Sequence, residues 1–198
     1  MVSGFWIAST DIVLRDWRPD DLPAYAYWLE PGHEWKKLDA PYYPAPDPAE
    51  IPEYVERKQR IIGGAALPVP RTNVVIARAD SNELIGAVSA YWESIETLWL
   101  TLGIVVYDPR YWGHGVGFTA LGLWVEYQFR SRPEIVRLDL RTWSGNRGMI
   151  RLAQKLGFQQ EACFRRARIV AGQHYDSLAY GILREEWERE YPNGFVPA

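Results

Sequence analysis

Cysteine is all but missing from this 198-residue chain, where Cys163 stands alone. An intrachain disulfide is excluded, and this usage fits a reducing compartment, so a cytoplasmic location is expected. Histidine is nearly as scarce. His33, His114 and His174 lie far apart, none in a spacing such as H-E-x-x-H, and no metal is expected. Long apolar runs are lacking: the longest nearly unbroken one, Leu98 to Tyr107, falls far short of the roughly 20 residues of a membrane helix. No secretory pattern is visible, because the first basic residue is Arg15 and no apolar stretch follows one. A basic excess is lacking too. Lys plus Arg number 22 against 25 Asp plus Glu, and the net charge of −3 disfavours a dedicated nucleic-acid binder. What is present is 47% hydrophobic and 24% charged residues, a globular balance, at a length suited to one domain over 1–198. Aromatic residues are abundant, with 10 Trp, 12 Tyr and 6 Phe to fill a core, line a pocket or cover an interface.

Periodicity then supplies the elements. Ile12 to Trp17 reads as a strand, and Leu22, Tyr25, Ala26 and Leu29 mark one face of a helix that Gly32 can end. After a proline-dense loop, Asp47, Pro48 and Glu50 provide an N-cap, an N1 proline and a capping-box acid for a helix running towards Gly63. Strands follow at 73–78, 84–92 and 98–107, with short links that favour antiparallel neighbours. A helix after Gly117 buries Phe118, Leu121, Val125 and Phe129. In the strand 135–143, Val136, Leu138 and Leu140 face one way and Arg137, Asp139 and Arg141 the other. A helix over 146–156 buries Met149, Ala153 and Leu156, and strands at 160–170 and 174–184 pair across Ala171-Gly172-Gln173. The expected fold class is α/β, with a mixed, mostly antiparallel central sheet flanked by helices.

The most informative segment is Trp112-Gly113-His114-Gly115-Val116-Gly117, between a strand and a helix. Glycines there let successive amides converge on an anion at a helix N-terminus. A tight turn is the plain alternative. The loop is neither a Walker A loop, since no Gly-Lys-Ser/Thr follows, nor a dinucleotide fingerprint.

The run Asp108 to Gly117 resembles the acetyl-CoA loop of the GNAT superfamily of N-acetyltransferases. The stretch from Ser144-Gly145-Asn146-Arg147 to Lys155-Leu156-Gly157-Phe158 is similar to another segment of that superfamily. The ending His174-Tyr175-Asp176, with Leu183 to Trp187, resembles the branch of Rim-type ribosomal-protein N-terminal acetyltransferases. The likeness spans about 11–190. It implies a GNAT-like fold, acetyl-CoA as co-substrate, and direct transfer to a primary amine. The implied acceptor is a peptide or protein N-terminal α-amine. A small cationic amine such as a polyamine or aminoglycoside stays open, as does a non-catalytic acyl-CoA sensor. A monomer or homodimer without membrane or nucleic-acid partners is expected.

The resemblance also implies roles for particular residues. The loop Trp112, Gly113, His114, Gly115, Val116 and Gly117 holds the CoA pyrophosphate, with His114 facing phosphate. Val105, Val106 and Tyr107 meet the pantetheine arm and thioester carbonyl, and Asn146 touches CoA or caps its helix. Arg110, Arg147 and Arg151 are candidate phosphate partners. Trp112 stands where many relatives carry Arg or Gln. The Tyr that often acts as general acid is Ala153 here, and the Rim-type Ser is Met149. Protonating a thiolate of pKa about 8.5 at pH 7 is worth only about 2 kcal/mol, so the missing acid does not exclude catalysis. Deprotonating a lysine-like ammonium asks for roughly 4.6 kcal/mol, an α-amine about 1.4. Glu161 is the candidate base, with Glu34, Glu93 and Asp176 as rivals. Residues 1–56 carry 11 acidic and 4 basic side chains, against 14 and 18 in the remainder. An acidic acceptor wall beside a basic cofactor half is expected, with Glu34, Trp35 and Tyr42 in that wall.

Overall fold

The computed structural model describes residues 4–64 and 67–197. Within these residues eight strands form one sheet: β1 (Trp6–Ala8), β2 (Ile12–Arg15), β3 (Asn73–Arg78), β4 (Leu84–Ser94), β5 (Trp99–Val106), β6 (Arg137–Trp143), β7 (Gln159–Val170) and β8 (Gln173–Leu183). Their order is β1-β2-β3-β4-β5-β6-β8-β7. Every pair is antiparallel except β5 with β6, so the expected mixed, mostly antiparallel sheet is observed. Among the described residues five α-helices flank it: α1 (Leu22–Leu29), α2 (Ile51–Ile62), α3 (Val116–Ser131), α4 (Arg147–Lys155) and α5 (Arg184–Glu190).

Alternating side chains divide the sheet into two faces. Ile12, Leu14, Val74, Ile76, Leu100 and Leu102 pack with Leu121, Trp124 and Val125 of α3 in the larger core. On the other face Val13, Val75, Ala77 and Tyr107 meet Ala24, Tyr25 and Trp28 of α1 and Ile62 of α2. Asp47 caps the start of α2 by accepting from the Ala49 amide at 2.9 Å, through a short 3₁₀ turn begun by Pro48, as the spacing predicts.

Four details depart from the sequence reading. β1 is a short edge strand paired with β2, and three residues carry too little pattern to announce it. The last strand stops at Leu183, where Glu186 accepts from the Leu183 amide at 2.8 Å and starts α5. Val136 precedes β6 and is exposed, whereas Asp139 is buried beneath the Arg137 guanidinium at 2.6 Å. Phe118 and Met149 are only partly buried, packed at the margin of the larger core.

The feature that positions the site is a failure of pairing. β5 holds β4 along its length, from Trp99 to Val106, yet meets β6 only from Leu100–Leu102 to Leu138–Leu140. Beyond Leu102 the two parallel strands separate. The gap leaves an open backbone edge inside the sheet, a place where unpaired amides and carbonyls need other partners.

Candidate active site

A cleft of about 500 Å³ occupies this gap, with Ile104, Val105 and Val106 along one side. The Tyr107 amide donates to the Ile85 carbonyl at 2.9 Å, so by alternation Val105 and Tyr107 turn their backbone groups towards β4. Ile104 and Val106 turn theirs into the gap. The Val106 carbonyl is already engaged by the Trp112 indole N–H at 2.9 Å. The open groups are therefore the Val106 amide and both backbone groups of Ile104. Among Val105, Val106 and Tyr107, only Val106 offers backbone to the cleft, a correction set by strand register. The Tyr107 ring lies on the opposite side, stacked on Trp28 at 5.9 Å and edge-on to Trp35 at 5.3 Å.

At the cleft floor α3 begins without any side-chain cap. Its first intrahelical bond runs from the Thr119 amide to the Gly115 carbonyl, leaving the preceding amides unpaired within the helix. Gly113 and Gly115 adopt φ of +79° and +86°, a left-handed conformation open to glycine without a Cβ penalty. Trp112, Gly113, Gly115 and Gly117 line this cleft, while His114 and Val116 line a neighbouring recess with Arg78 and Asp80. Arg151 and Lys155 bring positive charge from α4. Arg110 is tied to Asp108 at 2.6 Å, and Arg147 is exposed. An uncapped helix start under glycine amides, flanked by two cations, fits a pyrophosphate.

Asn146 supplies the expected helix cap, accepting from the Met149 amide at 3.0 Å. Its amide nitrogen also donates to the Leu38 carbonyl at 3.2 Å, which accepts from the Trp143 indole at 3.0 Å as well. Gly145 is required beside it, because the Trp143 ring fills the space a Cβ would take. These bonds fasten the segment after α1 across the gap.

The fastening places Asp39. Asp39 lines both the cleft and a second chamber of about 220 Å³ behind β5, together with Ile104 and Val105. Protein crowds around Asp39 although it retains open surface, and this desolvation holds its pKa above the usual carboxylate range against the lowering influence of Lys36. In the chamber the Lys58 ammonium donates to Asn73 Oδ1 at 2.9 Å and lies over the Trp17 ring at 4.0 Å. Burial, with Arg57 nearby, lowers its pKa to about 8.

The carboxylates named from sequence lie elsewhere. Glu161 pairs with Arg137 at 2.5 Å, level with Gly181 on the closed part of the sheet, and lines neither cleft nor chamber. Glu93 is 3.9 Å from Arg141, and exposed Glu34 pairs with Lys37 at 2.6 Å. Asp176 accepts from the Arg166 amide at 2.8 Å in the β7–β8 irregularity. Trp35 lines the cleft, whereas Tyr42 sits near Trp143 and Arg168 outside it. The expected acidic wall is also thinned: Asp16 and Asp21 are neutralised by Arg71 and Arg15. Asp39 and Lys58 were missed because each reads locally as a solvated charge. Among the described residues, no group of three or more His, Cys, Asp or Glu is placed to hold a metal. No helix among them is long and apolar enough to cross a membrane.

The Acetyltransferase (GNAT) domain pattern matches residues 11–159. The chain belongs to the GNAT acetyltransferase family. Two curated relatives come from Bacillus subtilis (strain 168). The SPbeta prophage-derived uncharacterized N-acetyltransferase YokL is 26% identical over 57% of this chain and 63% of its own length. The uncharacterized N-acetyltransferase YoaA is 28% identical over 55% and 60%. The chain thus spans less than two thirds of either relative. Among solved structures, spermidine N-acetyltransferase from Vibrio cholerae, in complex with CoA and spermine, has a TM-score of 0.71 at 17% identity, covering 90% of this chain and 99% of that one. At that identity the likeness is one of fold.

Proposed function

We propose that residues 1–198 form one acetyl-CoA-dependent N-acetyltransferase domain that passes the acetyl group directly to a primary amine. The acceptor class is a peptide or protein N-terminal α-amine, in keeping with the Rim-type ending of the sequence, and the site of action is the cytoplasm. One observation carries this reading: the cleft over the uncapped α3 start and the chamber behind β5 meet at Asp39, Ile104 and Val105. Two substrates entering from opposite sides would meet there without a covalent enzyme intermediate. Cys163, the only thiol in the sequence, is exposed and lies outside both spaces, and local desolvation with Asp176 beside it pushes its pKa up.

In this reading the amides of the Gly113–Gly117 loop and of the first turn of α3 hold the pyrophosphate, with Arg151 and Lys155 alongside. Ile104 and the Val106 amide pair with the pantetheine arm, and a strand amide there stabilises the oxyanion of the tetrahedral intermediate. An α-amine suits the site because its deprotonation asks for only about 1.4 kcal/mol at pH 7. A small polycation suits it less, since Lys58 puts a cation in the chamber.

The test is calorimetry with acetyl-CoA followed by thiol release on a panel of peptides and amines. Binding and peptide-dependent thiol release support the assignment. Binding without release on any amine would instead mark an acyl-CoA sensor.

A further inference from the structure

We propose that the acceptor is an α-amine carrying a carboxylate a few bonds away, with the carboxylate held by Lys58 and the amine presented to Asp39. The inference rests on the acetyltransferase reading above and adds the acceptor's charge pattern and its proton acceptor.

Lys58 belongs to a charged stretch of α2, Glu56-Arg57-Lys58-Gln59-Arg60, where a lysine would ordinarily point to water. Instead its ammonium turns into the chamber. Asn73 Oδ1 accepts from Lys58 Nζ and also from the Trp17 indole N–H at 2.7 Å, and the Asn73 amide donates to the Val88 carbonyl at 3.1 Å. This arrangement fixes the cation against the aromatic faces of Trp17 and Tyr25, the latter at 5.5 Å. No carboxylate bonds to it among the described residues, and the other titratable groups around it are Arg57, Tyr25, Tyr107 and Asp39. An ammonium has three donors, and only one is used among the described residues. A cation held in a concave, partly desolvated space with donors to spare matches an anionic ligand group. The chamber, at about 220 Å³, is smaller than a drug-sized pocket and suits the head group of an amino acid or peptide.

Asp39 takes one proton from the ammonium, and the freed nitrogen lone pair attacks the thioester carbonyl carbon. The C–S bond breaks as the carbonyl re-forms. The second proton on nitrogen passes to the departing thiolate, directly or through water, giving the amide and CoA thiol, while Asp39 returns its proton to solvent. A carboxylate with a raised pKa is a better proton acceptor than an ordinary one, provided it remains ionised at the working pH.

Free amino acids and peptides with an acidic first residue both carry this charge pattern, so the experiment has an arm for each. With saturating acetyl-CoA, thiol release is measured for leucine against leucine amide, and for an Asp-initiated tetrapeptide amide against its Asn-initiated twin. Putrescine is the dicationic comparison. The expected result is at least tenfold higher kcat/KM for the carboxylate in one pair, and little turnover of putrescine. Lys58→Gln should bring that ratio to within about twofold through KM, and Lys58→Arg should restore part of it. Asp39→Asn should lower kcat on every acceptor by about 10²–10⁴-fold, the usual reach of general base catalysis. Equal turnover within both pairs, or faster turnover of putrescine, overturns the proposal using the wild-type protein alone, as does an unchanged ratio in Lys58→Gln. Those failures leave the acetyltransferase reading standing if acetyl-CoA binds and any amine reacts. No acetyl-CoA binding overturns both.

Discussion

Gly115 offers the most direct test of the cofactor cleft. Its φ is +86°, and a Cβ built there meets nothing within 4 Å. Gly115→Ala therefore acts through backbone conformation alone. Holding alanine in the left-handed region costs about 1–2 kcal/mol, which a domain stable by roughly 5–15 kcal/mol survives. For a chain of this length the melting temperature should fall by about 2–8 °C. Binding should suffer more than stability. If the loop relaxes to negative φ, an amide turns away from the phosphate, and each charge-assisted hydrogen bond lost costs about 1.5–3 kcal/mol, or roughly 10–150-fold in Kd. Gly157→Ala is the matched control. Its φ of +88° is equally left-handed, its Cβ would make only ordinary contact with Ile182 at 3.7 Å, and it lies outside the cleft. Both variants should melt earlier by similar amounts, whereas only Gly115→Ala should weaken acetyl-CoA binding by calorimetry. Equal affinities in the two folded variants would refute the assignment of this loop to phosphate.

Other consequences are open to measurement. Asn146→Asp keeps an N-cap acceptor but cannot donate to the Leu38 carbonyl, so acceptor KM should rise with little change in melting temperature; Asn146→Ala should also lose about 1 kcal/mol of stability. Trp112→Phe removes the indole bond to Val106 and should destabilise by about 0.5–1.5 kcal/mol in a denaturant titration. Lys58 has a folded pKa of about 8, below the ordinary 10.5, so the folded state disfavours its charge. Its contribution to wild-type stability should therefore rise as pH climbs from about 8 towards 10.5, by at most about 3 kcal/mol. Lys58→Met should melt higher than wild type at pH 7, with the advantage gone above that window; an advantage independent of pH would refute the buried-charge account.

The parts of the molecule that sequence made legible are those written in neighbouring residues. The Gly113–Gly117 loop, the Asp47-Pro48 start of α2 and the apolar run of β5 each depend on a few consecutive side chains. The chamber does not. Lys58 turns inward because Asn73 of β3 and Trp17, just after β2, meet beneath it, and the composition of α2 holds no trace of them. Asp39 becomes distinctive only when Leu38 is fastened across the gap. Glu161 resembled a base by its position after Gly157-Phe158, but Arg137, 24 residues earlier, claims its carboxylate. Charge counted along the chain misses one pairing for the same reason, since Arg71, outside the acidic first 56 residues, neutralises Asp16 within them.

The fastening of Leu38 also has a temporal side. Its two donors, Trp143 and Asn146, lie 105 and 108 residues further along the chain. During synthesis at roughly 5–20 residues per second, α1, Asp39 and Lys58 leave the ribosome many seconds before either donor exists. Closing so long a loop carries an entropic cost that neighbouring contacts do not share. The nascent chain can gather its first strands and helices while Asp39 has no fixed place. A product ending before Trp143 would contain both proposed acceptor-side charges and hold neither against a cleft. Site assembly should then lag collapse in refolding, with Trp143 fluorescence reporting the later event.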